Sequence, residues 1–176
     1  MSVEIRKVTT KKELKQFVKF SIDLYKDNPY YVPCLIEEEM MTLDKEKNPA
    51  FEVCDAILFL AYKDGKIVGR IAGIINRGSN AAWDEKRARF GFVDFVDDAE
   101  VVDALFDAVI RWAKEYGMTE LHGPLGFTDM DHEGMLVDGF DQLGTMATIY
   151  NYPYYPKHME RMGFEKDQDW HEFKIF

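Results

Sequence analysis

Cysteine is scarce. The 176-residue chain has two, Cys34 and Cys54, with no CxxC spacing. That excludes a disulfide-stapled scaffold and leaves reduced thiols in a cytoplasmic setting as the expectation. Serine is as poorly supplied: Ser2, Ser21 and Ser79 are the only ones, and none lies in a G-x-S-x-G turn, so a serine hydrolase has no nucleophile. No GxGxxG or GKS/T segment occurs, so nucleotide folds lack their phosphate cradle. No apolar run approaches the ~20 residues of a membrane span. Met1-Ser2-Val3-Glu4-Ile5-Arg6 lacks the apolar stretch of a secretory leader. Positive charge is the minority, 22 Lys plus Arg against 32 Asp plus Glu, for a net charge of −10. A field of that sign repels phosphate backbones, and no local basic patch offsets it, so a nucleic-acid partner is not expected.

Apolar residues are abundant at 47%, with 14% aromatic, enough to bury a core in one domain spanning residues 1–176. Residues 3–8 alternate as a strand does. Thr10-Lys-Lys-Glu13 reads as a capping box opening a helix whose apolar positions are Leu14, Phe17, Val18, Ile22 and Tyr25. That helix should end before Asn28-Pro29. A second short helix is expected from Leu35 to Leu43, then a polar loop to Pro49. Two apolar strands, Ala56 to Lys63 and Lys66 to Asn76, flank Asp64-Gly65, a hairpin signal because both turn positions favour positive φ. Arg77 to Ala88 reads as a surface excursion, and Phe90 to Val96 as another strand.

Asp98 to Tyr116 carries one apolar face (Val101, Val102, Leu105, Phe106, Val109, Trp112) and one charged face, capped by Asp97 or Asp98 and ended by Gly117. Thr119 to His122 is a short strand, and 123–144 is Gly- and Asp-rich, long for a loop and so a functional candidate. Thr145 to Tyr150 reads as extended, Tyr155 to Met162 as helix, and Phe164 to Phe176 as closing strands. The order predicts an α/β (α+β) fold: a mixed, mostly antiparallel central sheet flanked by helices, with one parallel βαβ crossover. The domain is expected to stand alone or to form one half of a longer protein.

Three segments, "AYKDGKIVGRIAGIIN", "FGFVDFVDDAEVVDALFDAVIRWAKEYGM" and "YNYPYYPKHMERMGF", together resemble the GNAT superfamily of acyl-CoA N-acyltransferases, over nearly the whole chain. "HGPLGFTDMDHEGMLVDGF" narrows the likeness to an uncharacterised, divergent branch whose members are often about twice this length. The resemblance implies acetyl-CoA or another acyl-CoA as donor and a small amine or amino acid as acceptor. It places the pantetheine arm against the strand edge at Val93, Phe95 and Val96, with Asn151 in the C-terminal cofactor segment. A homodimer is implied by analogy with the superfamily.

Two positions depart from that pattern. The turn before the long helix is Asp97-Asp98-Ala99-Glu100, where the family has a basic, Gly-rich anion site. Met159 stands four residues before Gly163, where many members have a Tyr that protonates the departing thiolate. Tyr150 or Tyr155 could supply the proton instead; dense aromatic and proline residues also form rigid corners. Asp94, Asp129, Asp131 and Glu133 are candidate bases, Asp131 and Glu133 because the acidic loop beside the tyrosines suits a cationic amine. A packed loop against a tyrosine-rich corner reads the same residues structurally. Asp129, Asp131, Glu133 and Gly134 match half a calcium loop, but Phe140 stands where a bidentate Glu belongs, so no metal is expected. Two functions follow: an N-acyltransferase, or a GNAT-like domain without catalysis that binds a small ligand or a partner domain.

Overall fold

The computed structural model describes residues 2–145, 148–173 and 175. The chain runs β1 (Glu4–Lys7), α1 (Lys11–Tyr25), α2 (Ile36–Thr42), a 3-10 turn (Pro49–Glu52), β2 (Cys54–Lys63), β3 (Lys66–Asn76), α3 (Arg77–Trp83), β4 (Arg87–Phe95), α4 (Ala99–Glu115), β5 (Glu120–His122) and α5 (Tyr154–Arg161). The five strands form one sheet in the order β1-β2-β3-β4-β5. The first three pairings are antiparallel and β4–β5 is parallel. This is the mixed sheet with a single parallel crossover that the sequence implies.

Local chemistry explains the start of several elements. The Thr10 hydroxyl accepts from the Glu13 N–H while the Glu13 carboxylate accepts from the Thr10 N–H, the reciprocal capping box. Asp64 and Gly65 turn the β2–β3 hairpin with φ of 54° and 75°. Asp98 caps α4 by accepting from the Glu100 N–H at 2.9 Å. Alternate strand residues then divide the core. Leu60, Ala72 and Ile74 pack with Phe17 and Val18 of α1, whereas Ala61 and Ile71 pack with Val101, Leu105 and Phe106 of α4 and with Tyr155 and Met159 of α5.

Three expectations are corrected. Arg77 to Ala88 is not only an excursion: Asn76 accepts from the Ser79 N–H and caps α3, and β4 already begins at Arg87. Phe164 to Phe176 forms no strand among its described residues; Trp170, Phe173 and Ile175 are exposed there. Of Thr145 to Tyr150, residues 146 and 147 lie outside the described set and the others are not strand. The described residues of both segments pair with no strand, and pairing, not side-chain type, makes a strand.

Candidate functional site

The site begins with an irregularity in β4. Arg70 pairs with Asp94, but Ala72 pairs with Gly91, so β4 carries one residue more than β3 across this interval. Phe92, at φ 44°, takes up the strain. The bulge resets the alternation: Phe90, Val93 and Phe95 all join the core beneath α4, and Asp94 turns to the opposite face, onto Arg70. In an unbroken strand Asp94 would share the face of Phe90.

The second irregularity is the end of β5. It pairs with β4 only at Arg87–Glu120, Ala88–Leu121 and Arg89–His122, although β4 continues to Phe95. The chain then leaves through the cis peptide Gly123–Pro124, and Leu125 donates its N–H to the Phe90 carbonyl at 2.8 Å. Beyond Phe90 no strand covers β4 on that side among the described residues. Tyr25, from the α1 face, and Tyr155, from the α5 face, meet across this gap with hydroxyls 2.7 Å apart. A continuing β5 would stand between them.

A directed network fills the gap. The Phe95 N–H donates to the Tyr155 hydroxyl at 3.0 Å. Tyr25 bridges Tyr155 and Asp94, donating to Asp94 Oδ1 at 2.9 Å. Arg70 Nε donates to Asp94 Oδ2 at 2.7 Å, and Arg70 also reaches Glu39 Oε1 of α2 at 2.5 Å and the Phe17 carbonyl at 3.1 Å. Arg70 and Asp94 are 5% and 6% exposed, so both charges lie away from bulk water. Burial pushes the Asp94 carboxyl above its usual value, with the Arg70 guanidinium pulling against it. Burial, then the Asp94 charge, holds the Tyr25 and Tyr155 phenols far above theirs, so both stay protonated and act as donors. Burial also lifts the Tyr31 phenol and the Cys34 thiol to about 12 each, which removes Cys34 as a thiolate nucleophile near neutrality.

Beside this network lies a cavity of about 80 Å³, several times the roughly 10–15 Å³ one water requires. Val93, Asp94, Arg70, Glu39, Tyr25 and Tyr150 are among its walls, as are His132, Met135, Thr148 and Asn151.

The residues singled out from sequence fall into three groups. Tyr150, Tyr155, Val93 and Asn151 line the cavity. The Tyr150 hydroxyl accepts from Asn28 Nδ2 at 2.7 Å and donates to the Phe140 carbonyl. Asn151 accepts from the Leu136 N–H at 2.7 Å and donates to the Leu136 and Tyr152 carbonyls, so it staples the loop to the chain entering α5. Phe95 and Val96 lie outside the cavity lining: Phe95 stacks on Tyr155 with ring centroids 4.1 Å apart, and the Val96 N–H donates to the Val68 carbonyl. Asp131 lies in a separate recess with Thr42, Lys47 and Asn48 and accepts from the Thr128 N–H at 3.0 Å; Glu133 is half-buried outside the cavity lining. Met159 is buried, and its neighbour His158 bonds Asp97 through Nε2 at 2.8 Å.

The network residues that sequence reading missed are Arg70, Tyr25, Glu39 and Tyr31. A signal existed for the first: Arg70 interrupts Ile67-Val-Gly-Arg-Ile-Ala-Gly-Ile-Ile75, and a charge inside a buried strand needs a partner. Asp94 in Gly-Phe-Val-Asp-Phe-Val is the matching interruption.

The α4 N-terminus offers CoA's diphosphate no anion site. Asp98 holds the Glu100 N–H, and Lys63, the nearby cation, is bound to Asp98 at 2.6 Å and Glu100 at 3.0 Å. The hydrogen bond from Lys63 draws the Asp98 carboxyl below its usual range, so it stays anionic. The Phe95 N–H and C=O, which face away from β3, are already taken by the Tyr155 and Tyr154 hydroxyls. Of the β4 edge, only the stretch at Val93 borders open space.

No family model matches the chain. It is 32% identical over 165 residues to Protein YghO of Escherichia coli strain K12, covering 94% of this chain and 42% of that protein. It is 30% identical over 168 residues to a bacterial ceramide synthase of Caulobacter vibrioides, covering 95% of this chain and 44% of that one. The chain thus spans less than half the length of these relatives. Among solved structures, AAC(6')-Iy in complex with a CoA-acetylneamine bisubstrate analogue superposes with TM-score 0.59 at 14% identity over 100% of this chain and 99% of that one. A predicted acetyltransferase of Clostridium acetobutylicum, with acetyl-CoA, gives TM-score 0.56 at 12% identity over 98% and 96%. The chain has the GNAT acetyltransferase fold. Among the described residues, no helix is long and apolar enough to cross a membrane.

Proposed function

We propose that this domain catalyses acyl transfer from a thioester, such as acyl-CoA, to a primary amine, with the cavity beside Val93 and Asp94 as the reacting site. The observation that carries the reading is the meeting of an open strand edge with a buried carboxylate and two protonated phenols. A ceramide is an amide, so a relative named for making one supports amide-forming chemistry.

The Val93 backbone, at the unpaired edge, holds the amide-bearing arm of the donor as an added strand would be held. The amine nitrogen attacks the carbonyl carbon; the C–N bond forms and the C–S bond breaks. Asp94 takes the proton that the nitrogen sheds, and Arg70 aims the carboxylate and opposes the upward pull of burial on it. The sulfur leaves as thiolate: the Tyr155 phenol, held far above its usual pKa, is no proton source, and its single O–H swings from Tyr25 to hydrogen-bond the departing sulfur. Tyr150 and Asn151 position the loop that lines the cavity. Asp131 and Glu133, away from the cavity lining, take no step. The acyl–pantetheine end is what the domain reads, because carboxylates hold the place a diphosphate would need.

S-acetyl-N-acetylcysteamine should therefore replace acetyl-CoA with kcat/KM within about tenfold. A ligand at 100 times its Kd adds about 2.7 kcal/mol to stability, so the Tm with millimolar acyl thioester reads binding directly. The second reading, a ligand-binding domain without catalysis, is favoured by the occupied α4 N-terminus and by the tyrosines on Phe95. Thermal stabilisation by amines with no product from any thioester would select it.

A further inference from the structure

We infer that Arg70 Nη2 binds the carbonyl oxygen of the acyl donor and carries the negative charge that gathers there during transfer. The inference rests on the proposed acyl transfer and deepens it by naming the group that meets the oxyanion.

A buried guanidinium has five N–H groups to satisfy. In Arg70, Nε donates to Asp94 Oδ2, and Nη1 donates to the Phe17 carbonyl and to Glu39 Oε1. Nη2 has no hydrogen-bond partner among the described residues. Nor is it sealed in: among the described residues, His158 Nδ1 is the buried side-chain atom that lacks both a partner and contact with open space. The Arg70 side chain is 6% exposed and lines the cavity, so the open space at Nη2 is the cavity's. Neighbouring donors are committed elsewhere. Ser21 donates to the Val18 carbonyl, Tyr150 to the Phe140 carbonyl, and the Asn151 amide to the Leu136 and Tyr152 carbonyls.

Charge decides which ligand atom Nη2 takes. Arg70 is already flanked by Glu39 at 2.5 Å and Asp94 at 2.7 Å, so a third anion there would face two carboxylates. A neutral carbonyl oxygen meets no such repulsion. As the amine nitrogen attacks, the carbonyl π pair moves onto that oxygen while Asp94 takes the nitrogen's proton. One anionic neighbour of the guanidinium is neutralised as another forms, so the contact is stronger in the transition state than with the resting thioester, which lowers the barrier. The pair returns to carbon as the C–S bond breaks and the sulfur leaves as thiolate. Arg70 faces Asp94 across the β3–β4 pairing, and the Tyr155 hydroxyl lies 3.4 Å from Asp94 Oδ1. The donor to oxygen, the proton acceptor and the partner of sulfur thus follow one another along one wall of the cavity.

Two unreactive mimics of S-acetyl-N-acetylcysteamine test the contact without transfer: the S-acetonyl ketone, isotopically labelled at its carbonyl carbon, and the S-propyl thioether, which lacks the oxygen. In isothermal titration the ketone should bind about tenfold more tightly than the thioether. Its carbonyl carbon resonance should move downfield on binding. In wild-type protein with nitrogen-labelled arginine, the Arg70 Nη2 resonance should shift with the ketone and not with the thioether, which keeps the test alive should a variant misfold. Arg70→Lys keeps the charge and loses the second nitrogen. A folded Arg70→Lys variant should bind both mimics alike, and its kcat with S-acetyl-N-acetylcysteamine should fall about 10²-fold, a larger loss than that of ketone affinity. Equal affinity of ketone and thioether in the wild type, or wild-type kcat in a folded Arg70→Lys variant, overturns the assignment. Ketone recognition that depends on Arg70, with no product from any thioester, keeps the contact and removes the transferase.

Discussion

The β2–β3 hairpin and the segment from Gly123 to Pro153 are built by opposite rules. In the hairpin, backbone pairs with backbone from Cys54–Asn76 to Lys63–Lys66, and an Asp-Gly turn sets the register. Between β5 and α5 there is no helix or strand among the described residues, and beside isolated backbone bonds at Leu125, Gly134 and Gly144 side chains do much of the joining: Asn151 to Leu136, Tyr150 to Asn28 and Phe140, Asp131 to Thr128. A ladder leaves no room between its strands. A segment tied by side chains can stand off from β4, and the cavity lies where it does. The sheet supplies rigidity, and its interrupted edge borders the cavity proposed as the ligand site.

The contrast can be broken most severely at the ion pairs that tie β3 of the hairpin to β4 and α2 beside the cavity. Arg70→Met leaves Asp94 and Glu39 buried without their counter-charge and should cost about 3–5 kcal/mol in urea unfolding. The triple variant Arg70→Met, Asp94→Leu, Glu39→Met should recover most of that loss. At the crossing point, a Cβ on Gly91 would meet the Leu125 carbonyl oxygen at 2.2 Å. Gly91→Ala should therefore cost about 1–3 kcal/mol, or push the loop away and enlarge the cavity, which a crystal structure would distinguish.

Smaller effects separate the loop from the regular elements. Asn151→Ala removes the staple on Leu136 and should cost about 1–2 kcal/mol, with hydrogen exchange accelerated at the Leu136 amide and unchanged at Leu60. Thr10→Ala removes the α1 cap for about 1 kcal/mol and should leave amine binding alone. The hydrogen bonds from the Thr9 and Thr10 backbones hold the Glu13 carboxyl down at about 2 against an ordinary 4.5. A depressed folded value means its contribution is complete above pH 4.5 and fades as pH falls toward 2. Glu13→Gln should flatten the acid side of the stability profile in that window.

The regular half was legible because its signals are local. Thr10 and Glu13, Asp64 and Gly65, and the apolar stripe from Val101 to Trp112 each declare their structure within a few residues. The bulge at Phe92 was not legible, because nothing in Gly-Phe-Val-Asp-Phe states that one residue will be left unpaired opposite β3. With the bulge hidden, so was the face on which Asp94 would emerge. Tyr155 was found for its position in the closing segment; Tyr25, 130 residues earlier, looked like one more apolar residue of α1 until the gap in the sheet brought them together. Arg70 was visible as an interruption in an apolar strand, but its partners lie on three different elements, α1, α2 and β4.

The central claim is that the uncovered stretch of β4, with Asp94 at its bulge, is where acyl transfer occurs. Initial rates of transfer from S-acetyl-N-acetylcysteamine to hexylamine, compared between the wild type and an Asp94→Asn variant with a native near-ultraviolet circular dichroism spectrum, test it most directly. Loss of a positioned proton acceptor should lower kcat by about 10²-fold or more. An Asp94→Asn enzyme that transfers at the wild-type rate would contradict the account.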